Sequence, residues 1–184
     1  MRYKYVLIMV LAATIIFVLS GCANLFGPSP NQLANDLLSK LFTASATEVV
    51  YVKTMDATLT TEASELLDFV KHLLKPSGYP TPTITLKNVT DYSTKFIYLV
   101  QNPPTFVEKV YMIEVLATYG TGSSATSTAL MLPMVTIKDV AKKAFFFAVY
   151  YEGTTPKFYP IVPYATRPIP NVDIVLHRSS IQTF

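Results

Sequence analysis

Two aspartate–histidine pairs are the first residues whose types and spacing suit chemistry, because each histidine follows an aspartate by four positions. Asp68 and His72 fall in a predicted helix and Asp173 and His177 in a predicted strand, so each pair shares one face of its element. The pairs could bind a metal ion if the two elements met, but neither has the spacing of a motif such as H-E-x-x-H. The sequence therefore predicts a helix-surface pair and a terminal strand near solvent, with no metal site and no cofactor.

Serine residues offer a second kind of chemistry, the nucleophilic attack of a hydrolase. A Ser–His–Asp triad is assembled in space, so its members need not be close in the sequence. No G-x-S-x-G elbow occurs, and Ser123 and Ser124 lie in a glycine-containing stretch, 120–124, that predicts a flexible loop. We therefore predict no catalytic residue. The alternative is an envelope hydrolase whose site is assembled from scattered residues, with His72 and His177 as its candidates.

The only cysteine, Cys22, closes an N-terminal segment with the composition of an export signal. Arg2 and Lys4 make the start positive, and an uncharged apolar run follows over residues 6–19. A helix of that length spans about 21 Å, which is short for a hydrocarbon core of about 30 Å. The pattern is typical of a cleaved secretory signal peptide. The alternative is an uncleaved N-terminal anchor with an incidental cysteine.

The residues Leu19-Ser20-Gly21-Cys22 resemble the lipobox of bacterial lipoproteins, in which an apolar and two small residues precede a cysteine. The resemblance covers only this N-terminal segment. It implies diacylglyceryl transfer to the Cys22 sulfur, cleavage after Gly21, and often acylation of the new N-terminus. Several acyl chains hold a membrane more stably than one. By the enteric sorting rule, Ala23 would permit delivery to the inner leaflet of an outer membrane; without such a membrane, the anchor would lie on the outer face of the cytoplasmic membrane.

Charge and composition narrow the remaining classes of function. The chain has 15 Lys+Arg and 12 Asp+Glu; because Arg2 and Lys4 precede the cleavage site, 13 against 12 remain, a net charge of +1. The densest basic pair is Lys142-Lys143, and no clustered basic run indicates nucleic-acid binding. Acylation of Cys22 would leave no thiol for a disulfide or for cysteine catalysis. The low charge and many aromatic residues argue against disorder.

We expect a signal peptide over residues 1–21, a tether over 22–29 and one globular domain over 30–184. The first helix should run over 30–42, because Ser29 and Gln32 form a capping-box pattern and Pro30 suits the first helical position. The second helix should begin at Thr60 or Thr61 and end before Pro76. Residues 48–53 fit either a strand or further helix.

The remainder predicts mainly strands and turns. One helical turn is expected at 138–143, and strands are expected near residues 84–89, 95–100, 107–119, 126–137, 145–151, 158–164 and 172–177. Two helices followed by these strands predict an α+β fold in which the helices pack on a curved, mainly antiparallel sheet. Cystatin-like and NTF2-like folds share this arrangement, as an analogy of element order.

The aromatic stretch 145–151 is the most unusual feature of the chain. Consecutive bulky side chains point to both faces of a strand, so the simplest interpretation is burial on both faces. Phe146, Tyr150, Phe158 and Tyr159 are the candidate surface for a ligand or partner if one face is open. The sequence therefore predicts an exported, membrane-anchored binding or assembly module for an envelope protein or apolar ligand. A lipoprotein that only tethers envelope layers is a further alternative.

Overall fold

The computed structural model describes residues 27–96 and 104–160. The predicted signal peptide, the lipobox, the strand at 172–177 and the pair Asp173 and His177 lie outside these residues. The helices are α1 Pro30–Lys40, α2 Ala46–Val49, α3 Ala57–Leu74 and α4 Ser93–Phe96. The strands are β1 Val50–Val52, β2 Thr83–Asp91, β3 Val107–Tyr119, β4 Thr126–Ile137, β5 Val140–Phe145, β6 Phe147–Glu152 and β7 Thr155–Tyr159.

The strands form two sheets joined by one continuous run of chain. Strands β2, β3, β4 and β5 form an antiparallel meander, whereas β1 pairs in parallel with β6, and β6 pairs antiparallel with β7. Phe146 separates β5 from β6, and its backbone N–H donates to the carbonyl of Val49 at 2.8 Å. The chain thus leaves one sheet and enters the other at Phe146. The predicted α+β class, with helices on a curled and mainly antiparallel sheet, is confirmed.

Two apolar cores lie on opposite faces of the sheets. The inner core lies between the helices and the sheets and contains Leu59 and Leu66 of α3 with Ile113 and Val115 of β3. The outer core lies on the other face and includes Val110, Met112, Val135, Ile137, Phe145, Ala148 and Tyr159. Alternate residues of β3 therefore enter different cores, as the period of two in a strand requires.

Of the two helix starts that the sequence predicts, the start of α1 agrees with the structure and the start of α3 does not. At α1, the Gln32 N–H donates to the Ser29 hydroxyl at 3.3 Å and the Ser29 N–H donates to the Gln32 side chain at 2.7 Å, which confirms the capping box. The predicted start of α3 is wrong, because Asp56 caps the helix four residues before Thr60. Thr60 and Thr61 lie within the helix, where their hydroxyls donate to carbonyls one turn earlier.

Three further segments refine or correct the predictions. Residues 48–53 contain both proposed elements, since α2 ends at Val49 and β1 begins at Val50. The strand predicted at 95–100 is wrong at its start, because residues 95 and 96 belong to α4. The rest of that predicted strand, 97–100, lies outside the described residues. The helical turn predicted at 138–143 is also wrong, because Ile137 pairs with Val140 and the chain returns directly as β5.

Candidate binding face

The predicted surface residues separate between the two cores. Phe146 and Phe158 are buried in the inner core, beneath the helices. Tyr159 is buried in the outer core, and Tyr150 packs against that core while half-exposed. The stretch 145–151 is thus buried on both faces along most of its length, and Tyr150 and Tyr159 share the face opposite the helices.

A break in strand alternation produces this arrangement. Phe145 belongs to the outer core, but the next two residues, Phe146 and Phe147, both belong to the inner core. Alternation then resumes, so Ala148 and Tyr150 face outward again. The break coincides with the transfer of the chain from one sheet to the other, and it decides which aromatic rings remain near the surface.

Three partly exposed rings on the outer face, with the buried Phe145 beneath them, contact one another in a chain. The Tyr51 ring lies 5.7 Å from Phe106 and 5.4 Å from Phe145, and Phe106 lies 5.5 Å from Tyr150, between ring centroids. The Lys53 ammonium lies 4.9 Å from the Phe106 centroid, within cation–π range. We call Tyr51, Phe106, Phe145 and Tyr150 the outer aromatic cluster.

A small cavity extends the same face beyond the cluster. It has a volume of about 320 Å³, and its lining combines apolar residues with charged ones: Tyr159, Val107, Val110, Glu108, Lys109 and Lys138. That volume lies near the lower end of the range for small-molecule sites. Burial is the main cause that raises the pKa of Tyr159 and of Tyr150, with smaller contributions from Tyr150 and Glu152 respectively. Both phenols therefore stay protonated near neutral pH and can donate hydrogen bonds.

Two exposed apolar side chains lie near the start of α3, because Tyr151 alternates with the outward-facing Tyr150 and so faces the helix side of β6. Met55 is 75% exposed and Tyr151 is 37% exposed. The Tyr151 hydroxyl donates to Asp56 Oδ1 at 2.8 Å, which places Tyr151 beside the residue that follows Met55. These two side chains therefore lie beside the start of α3 and outside the outer aromatic cluster.

Sequence reasoning did not identify Tyr51 or Phe106 as members of this face. Tyr51 lies between Val50 and Val52 in a three-residue strand, so its side chain points to the opposite face from theirs. This alternation is the one local signal that Tyr51 faces outward. Phe106 reaches the cluster only because the start of β3 lies beside the small sheet. No local pattern indicates that juxtaposition.

The residues predicted for other chemistry lie apart from this face. Asp68 and His72 are exposed on α3, and the residues 27–96 and 104–160 contain no group of three metal-ligating side chains. Ser123 and Ser124 are exposed in a 3₁₀ turn, where the Ser124 hydroxyl donates to the Thr121 carbonyl at 3.2 Å.

Among the helices of the described ranges, none has both the length and the apolar character needed to cross a membrane. Comparison with known proteins finds no matching family, no matching curated sequence and no matching solved structure.

Proposed function

We propose that the chain is a cell-envelope lipoprotein, anchored to a membrane through acylated Cys22, whose domain binds an apolar segment of another envelope protein or an apolar ligand. The anchoring part rests on the lipobox resemblance of Leu19-Ser20-Gly21-Cys22. The binding part rests on the outer face described above. The domain thus acts by binding, with no catalytic step assigned to it.

The outer aromatic cluster is the observation that carries the binding function. Tyr51, Phe106 and Tyr150 are each half-exposed although their rings contact one another. Tyrosine and phenylalanine are enriched in protein interfaces because they offer large, rigid contact areas, and the tyrosine hydroxyl can still donate. Lys53 beside Phe106 adds a charge at the edge of the apolar area.

Replacement of the acylated cysteine tests the anchoring. Cys22→Ala should abolish incorporation of labelled fatty acid and leave the precursor unprocessed, because the thiol that receives the first acyl group is lost. Metabolic labelling and intact-mass measurement in the native host would detect both effects. Normal maturation and labelling of Cys22→Ala would contradict the proposal.

Photo-crosslinking in intact cells tests the binding face. A photoreactive aromatic residue placed at Phe106 should capture a defined protein or apolar molecule, identified by mass spectrometry. The yield should fall strongly when Tyr150→Ala is added, because the neighbouring ring is removed. Tyr79→Ala provides a matched control, since Tyr79 is 52% exposed and contacts Tyr119 rather than the cluster.

The crosslink identifies the outer face only if it depends on that face. Equal capture in the Tyr150→Ala and Tyr79→Ala backgrounds, or no capture above that of the unmodified chain, would contradict the binding proposal. Circular dichroism of each variant would verify that the domain remains folded.

A further inference from the structure

A basic groove lies at the point where the tether enters the domain, and it adjoins the outer face, because it shares Glu108, Lys109 and Lys138 with the cavity beside Tyr159. It has a volume of about 470 Å³, and it is lined by Gly27 and Pro28 of the tether together with the start of β3 and the β4–β5 hairpin. Its charged lining consists of four lysines and one carboxylate: Lys109, Lys138, Lys142, Lys143 and Glu108. We call this the lysine groove.

The groove concentrates positive charge on a nearly neutral molecule. Four of the 13 basic residues that follow the cleavage site line it, together with only one of the 12 acidic residues. Glu108 accepts a hydrogen bond from the Thr136 hydroxyl at 3.2 Å, and Lys109 lies 3.6 Å from Asp91 at the surface. The remaining three lysines have no carboxylate within ion-pair distance among the described residues. The Lys138 ammonium donates to the Thr105 carbonyl and the Lys143 ammonium lies 4.8 Å from the Phe145 centroid, so these charges are not neutralised by a carboxylate.

An irregularity in β5 presents two of these lysines. Ile137 pairs with Val140, but the adjacent Thr136 pairs with Ala144, so the three residues 141–143 bulge from the ladder. Lys142 has φ of 62°, in the left-handed region that side chains other than glycine rarely adopt. It makes no hydrogen bond or ion pair with any described residue. Bulges re-aim side chains, and here Lys142 and Lys143 line the same groove as Gly27 and Pro28.

The covalent distance to the proposed anchor is short. Five residue steps separate Cys22 from Gly27, so even a fully extended chain reaches only about 18 Å. Electrostatic attraction is screened over about 8 Å at physiological ionic strength. A tether this short holds the groove near a membrane that carries Cys22 and permits the groove to approach its surface to within a screening length.

We infer that the lysine groove is a docking surface for anionic phospholipid headgroups of the membrane that anchors the chain. The inference rests on the proposed acylation of Cys22. Phosphate groups would pair with the lysine ammonium groups, and docking would set the orientation of the domain so that the far end of β3, at Tyr119, points away from the bilayer. Each lysine that reaches an anionic surface should raise the docked population about fivefold.

A quenching experiment on the full acylated protein tests the inference. The acyl group blocks Cys22, so a cysteine introduced as Ala141→Cys accepts a fluorescent thiol label selectively. The protein is placed in vesicles of phosphatidylcholine alone or mixed with phosphatidylglycerol, each containing a spin-labelled quencher lipid. Quenching at position 141 should be severalfold stronger in the anionic vesicles and should fall at high salt. A label at Ser77→Cys, beyond the end of α3, should remain unquenched in both.

Two triple variants that remove the same number of charges distinguish an effect of the groove lysines from an effect of the net charge of the protein. Lys109→Gln, Lys142→Gln and Lys143→Gln together should abolish the difference between the two vesicle types. Lys71→Gln, Lys75→Gln and Lys87→Gln remove the same charge outside the groove and should preserve the difference. Melting curves of both triple variants would verify folding.

Three outcomes would overturn the inference. Equal quenching in the two vesicle types, or equal effects of the two triple variants, would exclude the groove as a headgroup site while leaving the anchoring intact. Absence of acyl mass on Cys22 would overturn the anchoring and the inference together. Mass measurement of the reconstituted protein therefore distinguishes failure of the groove from failure of the proposed function.

Discussion

At the scale of single residues, Asp56 joins two distant parts of the chain. One of its carboxylate oxygens accepts the N–H groups of Thr58 at 2.8 Å and Leu59 at 3.3 Å, which caps α3. The same oxygen accepts the hydroxyl of Tyr151, 95 positions later. The Tyr151 hydrogen bond is the largest cause that lowers the pKa of Asp56, followed by the Leu59 N–H. The charged carboxylate is therefore favoured by folding.

We predict that Asp56→Asn lowers stability at neutral pH but not in acid. A carboxyl group whose pKa is lower in the folded state stabilises the fold above its unfolded value, about 3.9, and that stabilisation is lost as the pH falls through the folded pKa. Asparagine also caps helices well, so the substitution removes mainly the charge. Urea midpoints of the two proteins should differ at pH 7, and the difference should shrink as the pH falls below the unfolded value of about 3.9.

Glu62, whose pKa is raised mainly by burial, is present in both proteins. Its effect on the pH dependence of stability therefore cancels when the two urea midpoints are compared. A midpoint difference that stays constant from pH 7 to pH 3 would show that the Asp56 charge does not contribute to stability.

At the scale of elements, the long strands could be predicted from the sequence and the short or irregular ones could not. Strands β3 and β4 have their predicted bounds, because long runs of β-prone residues end at clear turn signals such as Gly120. The start of α3 was predicted four residues late, because Asp56, Thr60 and Thr61 are all acceptable caps. The distant Tyr151 contributes to the choice among them, and local sequence does not contain that information.

Strand β5 shows the same limit more strongly. Lys-rich residues 138–143 resemble a helical turn locally, yet pairing with β4 makes them a hairpin followed by a bulge. The positive φ of Lys142 has no sequence signal, since lysine is not a residue that favours that region. The tertiary ladder overrides local preference here, so the lysine groove becomes visible only in the folded molecule.

The sequence predicts only part of the candidate binding face, because here too the tertiary arrangement decides which side chains face outward. The sequence identifies the aromatic stretch, but assignment of each ring to a face requires strict alternation. Alternation fails at Phe146 and Phe147, which both face inward. Of the four residues predicted as a surface, Tyr150 is partly exposed, whereas Tyr159 is buried in the outer core and Phe146 and Phe158 are buried in the inner core.

At the scale of the whole molecule, the two cores are coupled through shared strands. The run formed by β5, Phe146 and β6 pairs with β4 in one sheet and with β1 and β7 in the other. Its side chains contribute to both cores, with Phe147 in the inner and Phe145 in the outer. Neither sheet can lose this run without exposing apolar surface of the other, so the described domain should unfold as one cooperative unit.

We predict that Phe146→Ala destabilises both cores together. Phe146 has no exposed surface, and truncation of a buried phenylalanine costs about 3–5 kcal/mol of the free energy of unfolding. The chain contains no tryptophan, so near-ultraviolet circular dichroism reports mainly tyrosine packing, including the outer face, while the far-ultraviolet signal reports the helices. Both signals should shift to the same lower urea midpoint. Phe146→Leu retains most of the apolar volume and should lose less stability. Separate midpoints for the two signals would show instead that the outer face and the helix-covered core unfold independently, and that the shared strand does not couple them.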